Sequence, residues 1–261
     1  MRERRAGPPA RGIPLRAVVP NAITALALCV GLSGVRFAIA ERWDLAVTMT
    51  VIAAVLDGMD GRIARALRGQ TRFGAELDSL SDVIAFGVSP AIIVHLWSLQ
   101  QWPRFGWLFA LAYAVCMALR LARFNARIDA AEQPHKSAGF NTGVPAPAGA
   151  GLAFIPIYLW LITGNDLFRQ WQLVMGWTVL IALLMISSVA TFSWTSLRIR
   201  RSTRLFVIAG IGLLGAALVT NPWVTLLAIA LIYLAMIPFS IGSYASVRRR
   251  RAGGASPRRA R

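Results

Sequence analysis

Long apolar stretches follow one another along almost the whole chain, and they constrain the fold more than any other feature. A helix that spans a bilayer needs about 20 mostly apolar residues, and eight stretches of roughly that length lie between short polar connections. The eight candidates are residues 20–40, 44–64, 75–98, 105–122, 146–163, 171–192, 204–220 and 223–241. We therefore predict an all-α integral membrane protein, with about eight transmembrane helices in a domain formed by residues 17–246.

Basic residues are distributed unevenly between these stretches. The chain carries 28 lysine and arginine residues against 11 acidic ones, a formal net charge of +17. With the N-terminus in the cytoplasm, 24 of the 28 fall on the cytoplasmic side, as the positive-inside rule requires. We therefore predict that both termini are cytoplasmic, that the protein lies in the inner membrane, and that it has no nucleic-acid partner. The basic ends, residues 1–16 and 247–261, are predicted to be disordered tails near anionic lipid.

Acidic residues are rare, yet five of the 11 fall between Asp57 and Asp82. A carboxylate at membrane depth costs roughly 2.5–3.5 kcal/mol, and neighbouring aspartates also repel one another. Asp57 and Asp60 share one face of the second span, whereas Asp78 and Asp82 share one face of the third. The second span descends to the cytoplasm and the third leaves it, so the two pairs can meet at one depth. Four convergent carboxylates suit divalent cations, either Mg²⁺ or Mn²⁺, and two ions would neutralise the site.

Small and polar residues beside the aspartates fit a phosphate-binding site. Gly58 and Gly61 leave the helix surface bare next to the first two aspartates, so a ligand can approach closely. Arg65 offers a planar fork that suits phosphate. Thr71 places a hydroxyl in the connecting loop, and Gly74 lies one turn before the third aspartate on the same face. The aspartates and their neighbours together predict a metal-dependent site for a pyrophosphate.

Two other interpretations of the aspartates stay open from the residues alone. They could form a structural ion cluster that joins two spans, or a cation pathway in a transporter. A pathway would need polar groups further across the membrane, and beyond Asp82 the third span offers only Ser89 and His95 as obvious ones. Because carboxylates within a membrane are usually functional, the metal site is favoured over the structural cluster.

The spacing of eight residues in this region resembles the signature of the CDP-alcohol phosphatidyltransferases. The pattern reads Asp57-x2-Asp60-Gly61-x2-Ala64-Arg65-x8-Gly74-x3-Asp78-x3-Asp82, with every signature position filled. The resemblance implies six core helices, two bound metal ions, a CDP-linked lipid substrate and a homodimer. It also implies that Asp57, Asp60 and Asp78 are metal ligands, and that Asp82 is both a ligand and the general base.

Other stretches resemble one branch of that family, the membrane-embedded phosphatidylserine synthases. Asn21 and Thr24 match the family's Asn-x-x-Thr element near the nucleotide. Residues 118–125 are similar to the same branch. So is the loop 139–148, although two residues separate Phe from Gly here, where the Phe-x-Gly pattern of the branch has one. The resemblance implies that CDP-diacylglycerol and L-serine are the substrates, and that phosphatidylserine and CMP are the products.

Three polar residues at the end of the fourth span are candidates for binding the acceptor. Arg120 and Arg123 share one helix face, and Asn125 lies nearby. A serine acceptor needs a cationic partner for its carboxylate; the alternative, less favoured, is that the arginines serve as positive-inside anchors. The nearest functional alternative keeps the chemistry and changes the acceptor to glycerol 3-phosphate, inositol phosphate or choline. A phosphorylated acceptor should need a larger basic pocket than the two arginines provide.

Overall fold

A computed structural model of the chain describes residues 15–126, 140–187, 190–192 and 204–253, and these form a helical bundle. The helices are α1 (Leu15–Ile39), α2 (Trp43–Ala66), α3 (Arg72–Asp82), α4 (Ser89–Trp97), α5 (Gly106–Ala126), α6 (Ala146–Ala153), α7 (Ile155–Thr163), α8 (Trp171–Ile186), α9 (Arg204–Thr220) and α10 (Pro222–Gly253). A π-helical segment, Val83–Val88, joins α3 to α4 without a break. The three pieces form one rod of 26 residues, Arg72–Trp97.

Helices lie at all eight stretches predicted to be spans. By length and composition, four of the described helices can cross a bilayer: Arg16–Ile39, Arg72–Trp97, Gly106–Ala126 and Pro222–Phe239. The bent pair α6–α7 would make a fifth, whereas α8 and α9 are shorter apolar helices and α2 carries the charged motif. The helical fold class is confirmed. The count of eight spans, the six-helix core and the orientation of the termini stay predictions.

Much of the apolar surface of these helices faces outward. Leu26, Leu108, Leu183 and Phe206, on four different helices, are all more than half exposed. An apolar surface this extensive is rare on a soluble protein, and a helix that is apolar on every side is typical of a membrane span. The bundle is therefore that of a membrane protein, with lipid as the solvent of its outer face.

Small residues let α1 approach its neighbours closely. A Cβ on Gly34 would lie 2.9 Å from the carbonyl oxygen of Ala46 in α2. A Cβ on Gly31 would lie 2.7 Å from the Cβ of Ala85 in the π-helical segment. Ser89 adds a 2.7 Å hydrogen bond to the Gly31 carbonyl. Close contact through small residues is how helices pack in a membrane, and here it holds α2 and the Arg72–Trp97 rod against the same helix.

The fifth predicted span is not straight. α6 and α7 are bent by 41° against each other, and Pro156 lies in the first turn of α7. Proline has no amide hydrogen to donate to the preceding turn and its ring crowds that turn, so the helix breaks there.

Two short strands, which the sequence did not predict, accompany the helices. Strand β1, Phe140–Thr142, pairs with strand β2, Ala190–Phe192, in antiparallel register, with Asn141 opposite Thr191. The pair joins the chain just before α6 to the chain just after α8. Sequence periodicity did not reveal it, because three residues are too few to show an alternating pattern.

The predicted tails lie largely outside the described residues, as do residues 127–139 and 193–203. α10 runs on to Gly253, so its helix continues into the segment predicted to be the C-terminal tail. The boundaries of the membrane domain stay predictions.

Candidate active site

The turn between α2 and α3 determines how the two pairs of aspartates face each other. Arg68 adopts a left-handed φ of 51°, and the amides of Arg68 and Gly69 donate to carbonyls in the last turn of α2. This arrangement is a Schellman motif, which ends a helix and satisfies its final carbonyls. Thr71 then caps α3 by accepting a 3.0 Å hydrogen bond from the amide of Gly74. The chain therefore passes from α2 to α3 within a few residues, and carboxylates of the two helices come together.

Three of the four aspartates converge as predicted. Asp57, Asp60 and Asp78 each offer one carboxylate oxygen, and these oxygens lie within 4.8 Å of one another. Oxygens of like charge repel at this distance unless a cation or a proton lies among them. Three carboxylates are also the donor set that Mg²⁺ and Mn²⁺ prefer. The residues therefore fit the divalent metal that the family resemblance implies.

Asp82 lies one turn beyond Asp78 and completes the cluster. Its carboxyl group lies beside that of Asp57. Its Oδ1 atom is buried and has no hydrogen-bond partner within the described part of the chain. A buried oxygen of this kind is costly unless it binds something, so Asp82 has capacity left for a metal ion, a proton or a substrate hydroxyl.

Helix α1 contacts the aspartates directly. The hydroxyl of Thr24 donates a hydrogen bond to Asp60, and the hydroxyl of Ser81 donates one of 3.3 Å to the carbonyl of Thr24. All three residues are buried. Sequence reasoning did not identify Ser81, since its partner is 57 residues away and no local pattern distinguishes one helical serine from another.

A cavity of about 280 Å³ lies beside the aspartates, between α1, α2 and α3; it is termed the polar cavity. Six of the seven residues predicted to bind the CDP-lipid line it: Asn21, Thr24, Gly61, Arg65, Thr71 and Gly74. The seventh, Gly58, is exposed and is not part of the lining. A Cβ on Gly61 would meet only the guanidinium of Arg65, at 3.8 Å. The bare helix surface predicted at Gly61 therefore faces an open, polar space.

Two of the three predicted acceptor residues already have partners within the protein. The guanidinium of Arg123 donates to the carbonyls of Ile186 and Ser187, at 2.7 and 3.0 Å. These carbonyls belong to the end of α8, where a helix leaves its acceptors unsatisfied. The side-chain amide of Asn125 donates a 2.8 Å hydrogen bond to the hydroxyl of Ser79 in α3. Both residues join helices, and their roles in binding an acceptor stay predictions.

Arg120 differs from these two residues. Its charge interacts with the carboxylate of Asp82 and with Tyr233 of α10. Its Nε atom is buried and lacks a hydrogen-bond partner among the described residues. Of the three predicted acceptor residues, Arg120 is therefore the one that is next to the aspartates and still has a donor to offer.

A second space of about 280 Å³ opens between α2, α6–α7 and α10; it is termed the apolar groove. From α2 it is lined by Thr50, Val51 and Ala54, and from the other helices mainly by Pro147, Ala148, Gly151, Leu152, Phe154, Leu226, Ile229, Ala230 and Tyr233. The next turn of α2 carries Asp57. One helix thus lines the apolar groove and the polar cavity in succession, with an aspartate between them.

Comparison with known proteins agrees with this geometry. The profile of the family described as CDP-alcohol phosphatidyltransferase matches residues 17–187, and a profile described as CDP-alcohol phosphatidyltransferase 2 matches residues 203–238. A protein of Mycobacterium tuberculosis named CDP-diacylglycerol–serine O-phosphatidyltransferase is 35% identical over 233 residues, which cover 89% of this chain and 81% of that protein.

Proteins of the same name in other bacteria are also similar to this chain. The one from Mycobacterium leprae is 36% identical over 86% of this chain and 74% of its own length. The one from Helicobacter pylori is 32% identical over 65% of this chain and 70% of its own length. The first profile covers well over half of the chain and includes all four aspartates. The resemblance stated from the sequence is confirmed, and the chain belongs to the CDP-alcohol phosphatidyltransferase family of enzymes.

Proposed function

We propose that this protein transfers the phosphatidyl group of CDP-diacylglycerol to the hydroxyl of L-serine, which gives phosphatidylserine and CMP. One observation carries the proposal: three carboxylates meet within 4.8 Å beside a cavity lined by the predicted phosphate-binding residues. The names of the mycobacterial and Helicobacter relatives support serine as the acceptor.

The two spaces along α2 support a placement for the CDP-lipid. Its nucleotide and phosphates would occupy the polar cavity, where Arg65 can pair with phosphate and Thr71 still has a hydroxyl proton to donate. Gly61 allows the phosphates to approach the backbone of α2 closely. An acyl chain would occupy the apolar groove, where no charged side chain is part of the lining. The phosphorus atoms would then lie near Asp57, between the two spaces.

Asp57, Asp60, Asp78 and Asp82 would hold two divalent cations, Mg²⁺ or Mn²⁺. Such ions, when bound, neutralise the pyrophosphate and stabilise the negative charge that develops on the leaving CMP. The hydroxyl of Thr24 orients the carboxylate of Asp60, so one ligand is already held in place by α1.

Asp82 would act as the general base. Its carboxylate takes the proton of the serine hydroxyl while the serine oxygen forms a bond to the phosphorus that carries the diacylglycerol. The bond from that phosphorus to the CMP oxygen breaks, and CMP leaves with its electron pair. The buried Oδ1 of Asp82, which has no partner among the described residues, supports this assignment because a base needs a free lone pair directed into the site.

Arg120 would bind the carboxylate of serine. Its position next to Asp82 puts a cation close to the proposed base, and a guanidinium pairs with a carboxylate through two parallel hydrogen bonds. Arg123 and Asn125 would complete the acceptor site chiefly by holding α5 against α8 and α3, through the hydrogen bonds that they already make.

The proposal includes a location and an assembly. The distribution of arginines supports a protein of the inner membrane whose active site faces the cytoplasm. A homodimer, which the family resemblance implies, belongs to the same proposal and is checked by the mass of the protein in lipid nanodiscs.

The test is a CMP-release assay on the purified protein in detergent with CDP-diacylglycerol. We expect CMP with L-serine, loss of CMP on addition of a chelator, and recovery with Mg²⁺ or Mn²⁺. Parallel reactions contain glycerol 3-phosphate, inositol phosphate, choline or no acceptor. Release with one of those acceptors and none with serine would refute the acceptor, whereas release with no acceptor at all would refute the transfer reaction.

A further inference from the structure

The rod that carries Asp78 and Asp82 changes its helix type directly after Asp82. Val83–Val88 form a π-helical segment, in which the amide of Ser89 donates to the carbonyl of Ile84, five residues earlier. Single π turns are rare and occur frequently at functional sites. This one adjoins the proposed base.

The π segment determines which way the aspartates of α3 point. A π turn contains about one residue more than an α turn, and each residue of an α-helix rotates the chain by about 100°. α3 is therefore rotated by about 100° against α4, relative to an uninterrupted α-helix. α4 itself is held by a buried face that includes Ile93, Val94 and Trp97. With that face fixed, the π turn directs Asp78 and Asp82 towards the aspartates of α2.

Helices α1 and α5 are among the helices that contact the π segment. On the side of α1, Gly31 lies against Ala85 and accepts the hydrogen bond from Ser89. On the side of α5, the hydroxyl of Tyr113 donates a 3.1 Å hydrogen bond to the carbonyl of Phe86. A carbonyl in a π turn lies where the regular i to i−4 ladder is interrupted, so a donor from another helix stabilises this irregular turn.

Tyr113 lies on the face of α5 that also carries Arg120. It is only 1% exposed, and Met117 and Arg120 follow it at i+4 and i+7, on one face of α5. Met117 packs against the π segment, since a Cβ on Gly87 would lie 2.9 Å from its Cγ. Arg120 continues the face to Asp82. One face of α5 thus contacts the π turn, and Arg120 on the same face interacts electrostatically with the proposed base.

We propose that Tyr113 is a positioning residue for the transfer reaction. It does not touch substrate. Its hydrogen bond to the carbonyl of Phe86 stabilises the π turn. The π turn in turn keeps Asp82 beside Asp57 in the proposed active site. This inference rests on the proposed function, because the role of Asp82 as the base belongs to that function.

The test is Tyr113→Phe, which removes one hydroxyl and keeps the ring in the core. We expect kcat for CMP release to fall about five- to tenfold, the effect of one lost hydrogen bond expressed in the transition state. The KM values for CDP-diacylglycerol and for L-serine should change by less than about twofold, because neither substrate contacts Tyr113. Ser89→Ala removes the hydrogen bond that ties the residue directly after the π segment to α1, and it should change kcat in the same direction.

Ser98→Ala is the matched control. Ser98 is also buried, and its hydroxyl donates a 2.8 Å hydrogen bond to the carbonyl of Arg169, at the other end of the same rod. Its loss should lower the Tm and leave kcat unchanged. A fall in kcat for Tyr113→Phe that is no larger than in Ser98→Ala, or a rise in KM instead, overturns the inference.

A second readout does not depend on turnover. The electron paramagnetic resonance spectrum of Mn²⁺ bound to the protein reports the arrangement of its carboxylate ligands. We expect Tyr113→Phe to change this spectrum and Ser98→Ala to leave it as in the wild type. An unchanged spectrum in Tyr113→Phe contradicts the inference, whether or not the wild type is active. Failure of the wild type to release CMP with serine would refute the proposed function instead.

Discussion

The polar cavity and the apolar groove have the same volume, about 280 Å³ each, and opposite chemistry. The polar cavity is lined by Arg65, by the aspartates Asp60 and Asp78, and by polar side chains of α1. The lining of the apolar groove contains no charged side chain. Volume therefore says little about what each space binds, whereas the groups that line it distinguish a phosphate from an acyl chain.

Both spaces lie along one helix, and the sequence of α2 explains the division. Thr50, Val51 and Ala54 lie in its apolar turns, whereas Asp60 and Gly61 lie in its charged turns. Asp57 comes at the change between them. An amphiphilic substrate that lies along α2 would meet apolar groups with its chains and carboxylates with its phosphates. Four variants test whether the phosphates bind in the polar cavity, the acyl chains in the apolar groove, and the reaction takes place between them.

The largest effect is expected at the junction of the two spaces. Asp82→Asn removes the proposed base and should lower CMP release by at least about 100-fold, while metal-dependent binding of CDP-diacylglycerol largely persists. Asp44→Asn, at the other end of α2, is the control, since the side chain of Asp44 is about half exposed and, among the described residues, forms an ion pair with Arg42 at 3.6 Å. Turnover at the wild-type rate in Asp82→Asn would remove Asp82 from the mechanism.

The acceptor should enter at the same junction, beside Arg120. Arg120→Gln should raise the KM for L-serine by about 10- to 100-fold, because hydrogen bonds to charged groups are about twice as strong as neutral ones. The KM for CDP-diacylglycerol should change little. Arg123→Gln is the comparison variant: its guanidinium binds the end of α8, so it should lower the Tm more than it raises the KM for serine. The reverse pattern would assign the serine carboxylate to Arg123.

The polar cavity is tested by filling it. Gly61→Val places two methyl groups where a Cβ would meet only Arg65, so the fold should tolerate it. We expect the KM for CDP-diacylglycerol to rise about tenfold, equivalent to about 1.4 kcal/mol of binding, whatever the acyl chains. Gly176→Val on α8, where a Cβ would also meet open space, is the matched control. Equal effects in both variants would show that helix propensity, and not the cavity, is responsible.

The smallest effect is expected in the apolar groove. Gly151→Leu projects a side chain into open space, because a Cβ on Gly151 would meet no neighbouring atom of the described residues within 4 Å. It should raise the KM about fourfold for a long-chain CDP-diacylglycerol, the effect of displacing one CH₂ from the groove at about 0.8 kcal/mol for each buried CH₂. A short-chain analogue should bind as in the wild type. Equal changes for both lipids would mean that the groove holds no acyl chain.

The helices and the aspartate site were predictable because both depend on local sequence. A run of about 20 apolar residues is a helix in lipid, whatever surrounds it, and the spacing from Asp57 to Asp60 places both on one face by helix periodicity alone. The interactions of Ser81 with Thr24 and of Asn125 with Ser79 were not predictable. They join residues more than 40 positions apart, and their geometry depends on how the helices rotate against each other.

The sequence by itself determined the class of protein, the family and the four aspartates, because apolar length and motif spacing are one-dimensional properties. Only the tertiary structure separated residues that look alike in the sequence. It put Arg123 on the carbonyls of α8 and Arg120 beside Asp82, and it left Gly58 exposed while Gly61 lines the polar cavity. The π turn after Asp82 is the clearest case: it packs against α1, α5 and α6, and no pattern within the rod predicts it.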